Sequence, residues 1–303
     1  VISVTAAACA AIAVVQAPSA TGAARPCGLR LPPAQPGERA FTIPSGGRAT
    51  RRVLGGRLGL ALCTLFRRDG TRFARLESDP QQRVLGVAFY RRSGALLSTV
   101  ESTYAASDAS VANVKCGSSA QASISSSYWR KTRKWWIGAT VKGIDRDTVV
   151  KAVRNGQSEW TNDINWCGIK DQANPPASYE GKTSAVAPKD DGKSVVDWGS
   201  MKNNQDCSQA LACTFTWYDQ NGVPVDSDIR FSTNFTWTTK TGTSAFDIQS
   251  IAAHEIGHVL QFDHVTNESK DHDTNLMWPY YAAGDTSGRK LGRGDALEDN
   301  SHY

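Results

Sequence analysis

At 303 residues the chain has room for one large domain or two modest ones. With 40% hydrophobic and 21% charged residues it has the ordinary balance of a soluble globular protein. The net charge of +5 is unevenly spread: 14 Arg and 1 Lys face 6 acids up to residue 127, net +9, and 19 basic face 23 acidic groups from 128 onward, net −4.

Residues 1–24 form an apolar, small-residue run ending in A-x-A-like sites, which reads as the hydrophobic and cleavage regions of a secretory signal peptide without its basic start. The run is too short for a membrane span of about 20 residues, and no other stretch is long and uncharged enough, so no transmembrane helix is expected. Loss of this leader would remove Cys9 and leave six cysteines, an even number that favours disulfides in a secreted chain. Cys207–Cys213 is the expected bridge, and Cys63–Cys116 would staple the first half. Arg25-Pro26-Cys27-Gly28 invites a thiolate that caps a metal. Its distance in sequence from the second half favours an ordinary disulfide.

Residues 25–127 read as a small, basic, β-rich module, either a propeptide or an accessory unit. RVLGGRLGLALCTLF, RFARLES, RVLGVAFYRR and ALLSTVESTY are short apolar or alternating runs separated by turns such as RRDG and RRSG. The arginines lack interleaved aromatic platforms, so no nucleic-acid partner is expected. The Ser/Ala-rich run that ends at Ser127 reads as a linker. All nine tryptophans lie at or after Trp129, which supports a second module over 128–303.

In that module Trp135–Val141 predicts a strand and Asp145–Trp160 a helix started by Asp145 or Asp147. Ser194–Trp198, Cys213–Tyr218 and Asp228–Phe231 predict further strands, with a turn at Asp219-Gln220-Asn221-Gly222. FSTNFTWTT offers one more strand at an edge. Phe246–Leu260 is helical in pattern, with apolar residues at Ile248, Ile251, Ala252, Ile256, Val259 and Leu260 and Asp247 placed to cap it. Leu291–Glu298 predicts a short terminal helical turn.

Three of the chain's five histidines fall in His254-Glu255-Ile256-Gly257-His258 and the residues up to His264. His254 and His258 stand one turn apart on one helix face and can share a zinc ion. Glu255 has the place of a general base in the H-E-x-x-H pattern. His264 is the natural third ligand. Continued helix would carry it about 9 Å along the axis, so the helix must end near Leu260 and the backbone must turn back.

His254-Glu255-x-x-His258-x-x-Gln261-x-x-His264 resembles the signature of the metzincin zinc proteases. Leu276-Met277-Trp278-Pro279 resembles the methionine turn of their matrixin branch, and Asp226-Ser227-Asp228-Ile229 is similar to a matrixin strand. The resemblance implies an α+β fold: a twisted, mostly parallel sheet with an active-site helix and a Met turn at Met277. It implies one catalytic Zn²⁺ on His254, His258 and His264, Glu255 as general base, and hydrolysis of protein or peptide substrates outside the cell. The alternative is a zinc-binding module without catalysis. No histidine precedes His254, so the second, structural zinc of many matrixins has no ligands here. Calcium at the acidic loop Lys189-Asp190-Asp191 stays open. An extended substrate would add a strand along Phe235-Thr236-Trp237. His272 reads as a surface residue, and Tyr281 as either a cleft or a packing residue. Gln261 departs from the family's turn glycine. A left-handed backbone there costs a residue with a Cβ about 1–2 kcal/mol, against roughly 10 kcal/mol for zinc binding at structural sites, so the site is expected to survive with strain.

Overall fold

The structure is a computed structural model. It describes residues 37–42, 48–53, 61–66, 72–78, 83–91, 95–106, 116, 119, 122, 127–202, 207–265 and 275–303. The leader, the linker run except Ser119, Ala122 and Ser127, Cys27 and His272 lie outside these residues.

Strands β1 (Gly37–Thr42), β2 (Arg48–Val53), β3 (Ala61–Phe66), β4 (Arg72–Ser78), β5 (Val84–Arg91) and β6 (Leu96–Ala105) form an antiparallel meander. The strands expected from RFARLES, RVLGVAFYRR and ALLSTVESTY correspond to β4, β5 and β6.

The second half supplies β7 (Arg133–Ile137), β8 (Ala177–Lys182), β9 (Ser194–Gly199), β10 (Ala212–Tyr218) and β11 (Pro224–Ser232). β8, β7, β9 and β11 run parallel, and β10 is antiparallel to β11. The meander does not stand apart: β6 pairs with β10, so a single sheet runs in the order β1-β2-β3-β4-β5-β6-β10-β11-β9-β7-β8. The nearly continuous burial of β9 and β10 suits strands covered on both faces. β12 (Trp237–Thr238) pairs only with β13 (Phe246–Asp247), and Trp237 is buried. The expected strand at FSTNFTWTT therefore shrinks to two residues and forms no edge of the main sheet.

Helix α1 (Arg146–Thr161) begins where Asp145 accepts the Thr148 N–H at 2.9 Å. Helix α2 (Ile248–Val259) begins at Asp247, which accepts the Ser250 N–H at 2.9 Å. The helices meet at Gly156, where a Cβ would come within 2.8 Å of the Ala253 backbone nitrogen. Trp160 donates from Nε1 to the Ala253 carbonyl at 2.7 Å and stacks on Phe262 at 4.9 Å. The main core lies between the sheet and these helices, built on Trp135, Ile137, Val149, Val153, Trp160, Ile229, Phe231, Ile251 and Val259.

The terminal element is longer than expected: α3 spans Arg293–His302. Its buried Asp295, Glu298 and Asp299 disguise it as a polar tail in the sequence. The cysteines also differ in part. Cys207–Cys213 forms as expected, but Cys116 pairs with Cys167 and not with Cys63. The Cys116–Cys167 bridge joins the stretch after the meander to the loop after α1. No helix of the described residues is long and apolar enough to cross a membrane.

Candidate metal centre

Helix α2 carries His254 and His258 on its inner face, and the chain then leaves the helix by a reversal at Gln261. The Leu260 N–H bonds to Ile256 O, the Gln261 N–H to His258 O and the Phe262 N–H to Gly257 O. Gln261 has φ 78°, the left-handed conformation anticipated for the turn. Its side chain is used rather than tolerated: Oε1 accepts from the Tyr218 hydroxyl at 2.7 Å and Nε2 donates to Val259 O at 3.0 Å. The clasp holds a residue with a Cβ where a glycine would fold freely. Carbonyls freed at the end of α2 find donors as well, Trp129 Nε1 on Val259 O at 2.7 Å and the Tyr303 hydroxyl on Leu260 O at 3.2 Å.

The reversal brings His264 back to the helix. The three Nε2 atoms lie 3.0 Å (His254–His258), 3.1 Å (His258–His264) and 3.3 Å (His254–His264) apart. Each ring offers one nitrogen to a common point, the only such cluster of histidine, cysteine and acidic groups among the described residues. Three nitrogens each about 2.0–2.1 Å from one tetrahedral zinc sit slightly over 3 Å from one another, so the spacing fits that ion. The far nitrogens fix the tautomers: His254 Nδ1 donates to Leu276 O at 2.6 Å and His258 Nδ1 to Phe262 O at 2.7 Å. That leaves the Nε2 lone pairs of both rings aimed inward. Burial, aided by crowding among the rings, pushes His258 and His264 well below the usual imidazole range, and burial lowers His254 to about 4. All three are therefore neutral near pH 7, the form a metal needs.

Glu255 lies on the same helix, fully buried, and is held on both oxygens. Thr103 donates to Oε1 and Thr214 to Oε2, each at 2.6 Å. Burial raises its carboxyl to about 7, with the two hydroxyl bonds pulling the other way.

Met277 is fully buried beneath the helix at Gly257, where a Cβ would stand 2.3 Å from the Met277 sulfur and 2.8 Å from Trp160. The turn is fastened by Asp295 of α3, which accepts the N–H groups of Leu276 at 2.6 Å, Met277 at 3.2 Å and Gly292 at 2.8 Å. Tyr281 takes the packing role: it is buried, its hydroxyl donates to Leu276 O at 2.6 Å, and its ring meets His254 edge-on at 5.5 Å. Asp295, Thr214, Thr103 and Tyr218 were not singled out from the sequence. Nothing local in the sequence ties Asp295 to a turn near residue 276.

The acidic loop has other work. Asp226 accepts the amides of Asp191 at 3.1 Å and Gly192 at 2.8 Å, Asp228 accepts those of Lys189 at 2.8 Å and Val195 at 2.6 Å, and Lys189 pairs with Asp191 at 3.0 Å. These carboxylates order the loop between β8 and β9, and they do not gather as a calcium cage.

The matrixin family model matches residues 196–303. That stretch runs from β9 through α2, the Met turn and α3, and it contains all three histidines and Glu255. No curated protein matches the chain. The match supports a metalloprotease of the zinc-dependent kind.

Proposed function

From its matrixin-like segment we propose that the chain is a zinc-dependent endopeptidase acting outside the cell, with His254, His258 and His264 as the metal ligands. The observation that carries the reading is the convergence of three neutral imidazoles, 3.0–3.3 Å apart, beside a buried carboxylate that is not one of the ligands. A bound zinc would supply a Lewis acid for a peptide carbonyl and would acidify a water to a pKa near 7.

The chain's own groups provide the rest. His254 and His258 are locked in the ligating tautomer by Leu276 O and Phe262 O. Glu255 takes the proton of the attacking water on a carboxylate oxygen and delivers it to the leaving amine. Thr214 orients that carboxylate from the sheet side at 2.6 Å. Tyr218 and Gln261 hold the reversal that delivers His264. The two disulfides, Cys116–Cys167 and Cys207–Cys213, suit an oxidising compartment and support secretion. Residues 1–24 as a leader and 25–127 as a removable or accessory module remain part of this proposal.

The test is cleavage of an unfolded protein by the zinc-loaded chain, with and without a chelator and beside Glu255→Ala. Slow, chelator-sensitive cleavage that the variant lacks is expected. Cleavage that survives chelation, or a variant as fast as the parent, would overturn the reading.

A further inference from the structure

β8 ends the sheet and pairs with β7 on one side alone. The Arg133 N–H donates to Pro176 O at 3.0 Å, and Arg133 stands opposite Ala177 as Trp135 stands opposite Tyr179. In a parallel ladder this register turns the N–H and C=O groups of Ala177 and Tyr179 outward, away from β7. Among the described residues no strand pairs with that edge. It therefore presents the backbone donors and acceptors that an added extended peptide uses.

Beside this edge lies a hollow of about 850 Å³ between α1 and β8. Its lining sets Lys151, Arg154 and Lys182 against a single carboxylate, Asp147. Asp147 is engaged by Lys182, and no carboxylate pairs with Lys151 or Arg154 among the described residues. Lys151 and Arg154 are exposed and stand three residues apart on α1, so they share a face. The Arg154 guanidinium lies 5.6 Å over the Tyr179 ring, which packs in turn on Trp135 at 4.8 Å. The hollow is thus a positive patch in a half of the chain whose net charge is −4. Strands β7, β9 and β11 separate β8 from β10, the strand whose Thr214 holds Glu255. At about 4.8 Å per strand, the edge lies about 19 Å from the metal centre's side of the sheet.

We propose that this edge and hollow together bind an extended, acidic segment of another polypeptide. The segment adds a strand to β8 through the outward backbone groups of Ala177 and Tyr179. It seats a glutamate or aspartate carboxylate on Lys151 and Arg154, over Tyr179. Side chains of the added strand alternate between the two faces of the sheet, so acids two positions apart both turn toward α1. The open backbone row favours a peptide over an anionic polysaccharide, which carries no groups at strand spacing to match it. The site needs neither the metal nor the protease reading: a protein anchored at β8 is held whether or not the chain cleaves it.

The test measures, by fluorescence anisotropy, binding of a short labelled peptide of alternating glutamate and valine to the full chain. The parent should bind it at low salt and release it as salt rises. The same peptide with glutamine in place of glutamate should bind about tenfold more weakly. Lys151→Gln with Arg154→Gln should weaken binding of the acidic peptide by about tenfold as well, with the thermal midpoint unchanged because both side chains are exposed. Asp147→Asn removes the one competing carboxylate and should tighten binding about threefold, a gain that a misfolded chain cannot mimic. Backbone N-methylation of the peptide at alternate residues should abolish binding in one phase and spare it in the other, since only one set of N–H groups faces β8. Equal binding of the glutamate and glutamine peptides, or equal affinity in the parent and the Lys151/Arg154 double variant, overturns the proposal. Equal binding of both N-methylated peptides overturns strand addition and the proposal with it. A sulfated oligosaccharide that binds where the acidic peptide does not overturns it in favour of a polysaccharide surface.

Discussion

Gly257→Ala tests the link between α2 and the Met turn. The added Cβ would stand 2.3 Å from the Met277 sulfur, 3.0 Å from its methyl carbon and 2.8 Å from Trp160. Two effects oppose each other. Alanine gains about 0.5–1 kcal/mol over glycine inside a helix. Overpacking a filled core costs about 1–3 kcal/mol. Met277 is flexible in principle, but it is fully buried, and Trp160 is tethered through its Nε1 to Ala253 O at 2.7 Å. Neither neighbour can retreat without moving the turn, so a net loss of about 1–2 kcal/mol is expected. Displacement of the turn would also shift Leu276 O, which orients His254, and so weaken zinc binding. Urea unfolding of the zinc-free chain reads the first effect as a lower midpoint at unchanged slope, and zinc titration reads the second. A Gly257→Ala chain as stable as its parent, with unchanged zinc affinity, would refute the coupling of helix and turn.

Asp247→Ala should lose roughly 3–5 kcal/mol, because Asp247 both caps α2 and pairs with Arg289 at 2.6 Å, which would be left without its partner; a thermal melt checks it. Gln261→Gly should leave stability within about 1 kcal/mol of the parent, since relief of about 1–2 kcal/mol of left-handed strain offsets two hydrogen bonds of about 1 kcal/mol each. A much larger loss in urea would show that the clasp with Tyr218 does more than compensate. Burial raises Glu298 to about 9, so the folded chain keeps a proton that the unfolded chain releases above about 4.5. Stability from this group is therefore full at low pH and declines as pH rises from about 4.5 to 9. Glu298→Gln should flatten that part of the urea midpoint against pH, and a parallel pair of curves would contradict the assignment.

The parts of the site with local causes were legible in the sequence. The apolar spacing of Ile248, Ile251, Ala252, Ile256 and Val259 defines α2 within two residues of its ends, and its i, i+4 histidines follow. Asp145 and Asp247 as caps and the turn at Asp219 are likewise consequences of nearby residues, whereas the left-handed Gln261 follows from the resemblance to the family's turn glycine. What escaped depends on pairings far apart in the chain. Ala177–Lys182 lacks apolar alternation and becomes β8 only because β7 lies beside it. The Cys116–Cys167 bridge spans 51 residues, and no local pattern prefers it to Cys63. Thr103 reads as an ordinary strand residue, and only the β6–β10 register sets it on Glu255. Asp295 is similar: its value lies in the amides of a turn 18 and 19 residues away.

The proposed metal centre joins His254, His258 and His264 and leaves Glu255 outside the ligand set. The most direct measurement is zinc content per chain, by elemental analysis after dialysis, for the parent, His258→Ala and Glu255→Ala. One zinc in the parent, one in Glu255→Ala and a near-complete loss in His258→Ala is the predicted pattern. A parent chain without zinc, or a His258→Ala chain that keeps its full complement, would contradict it.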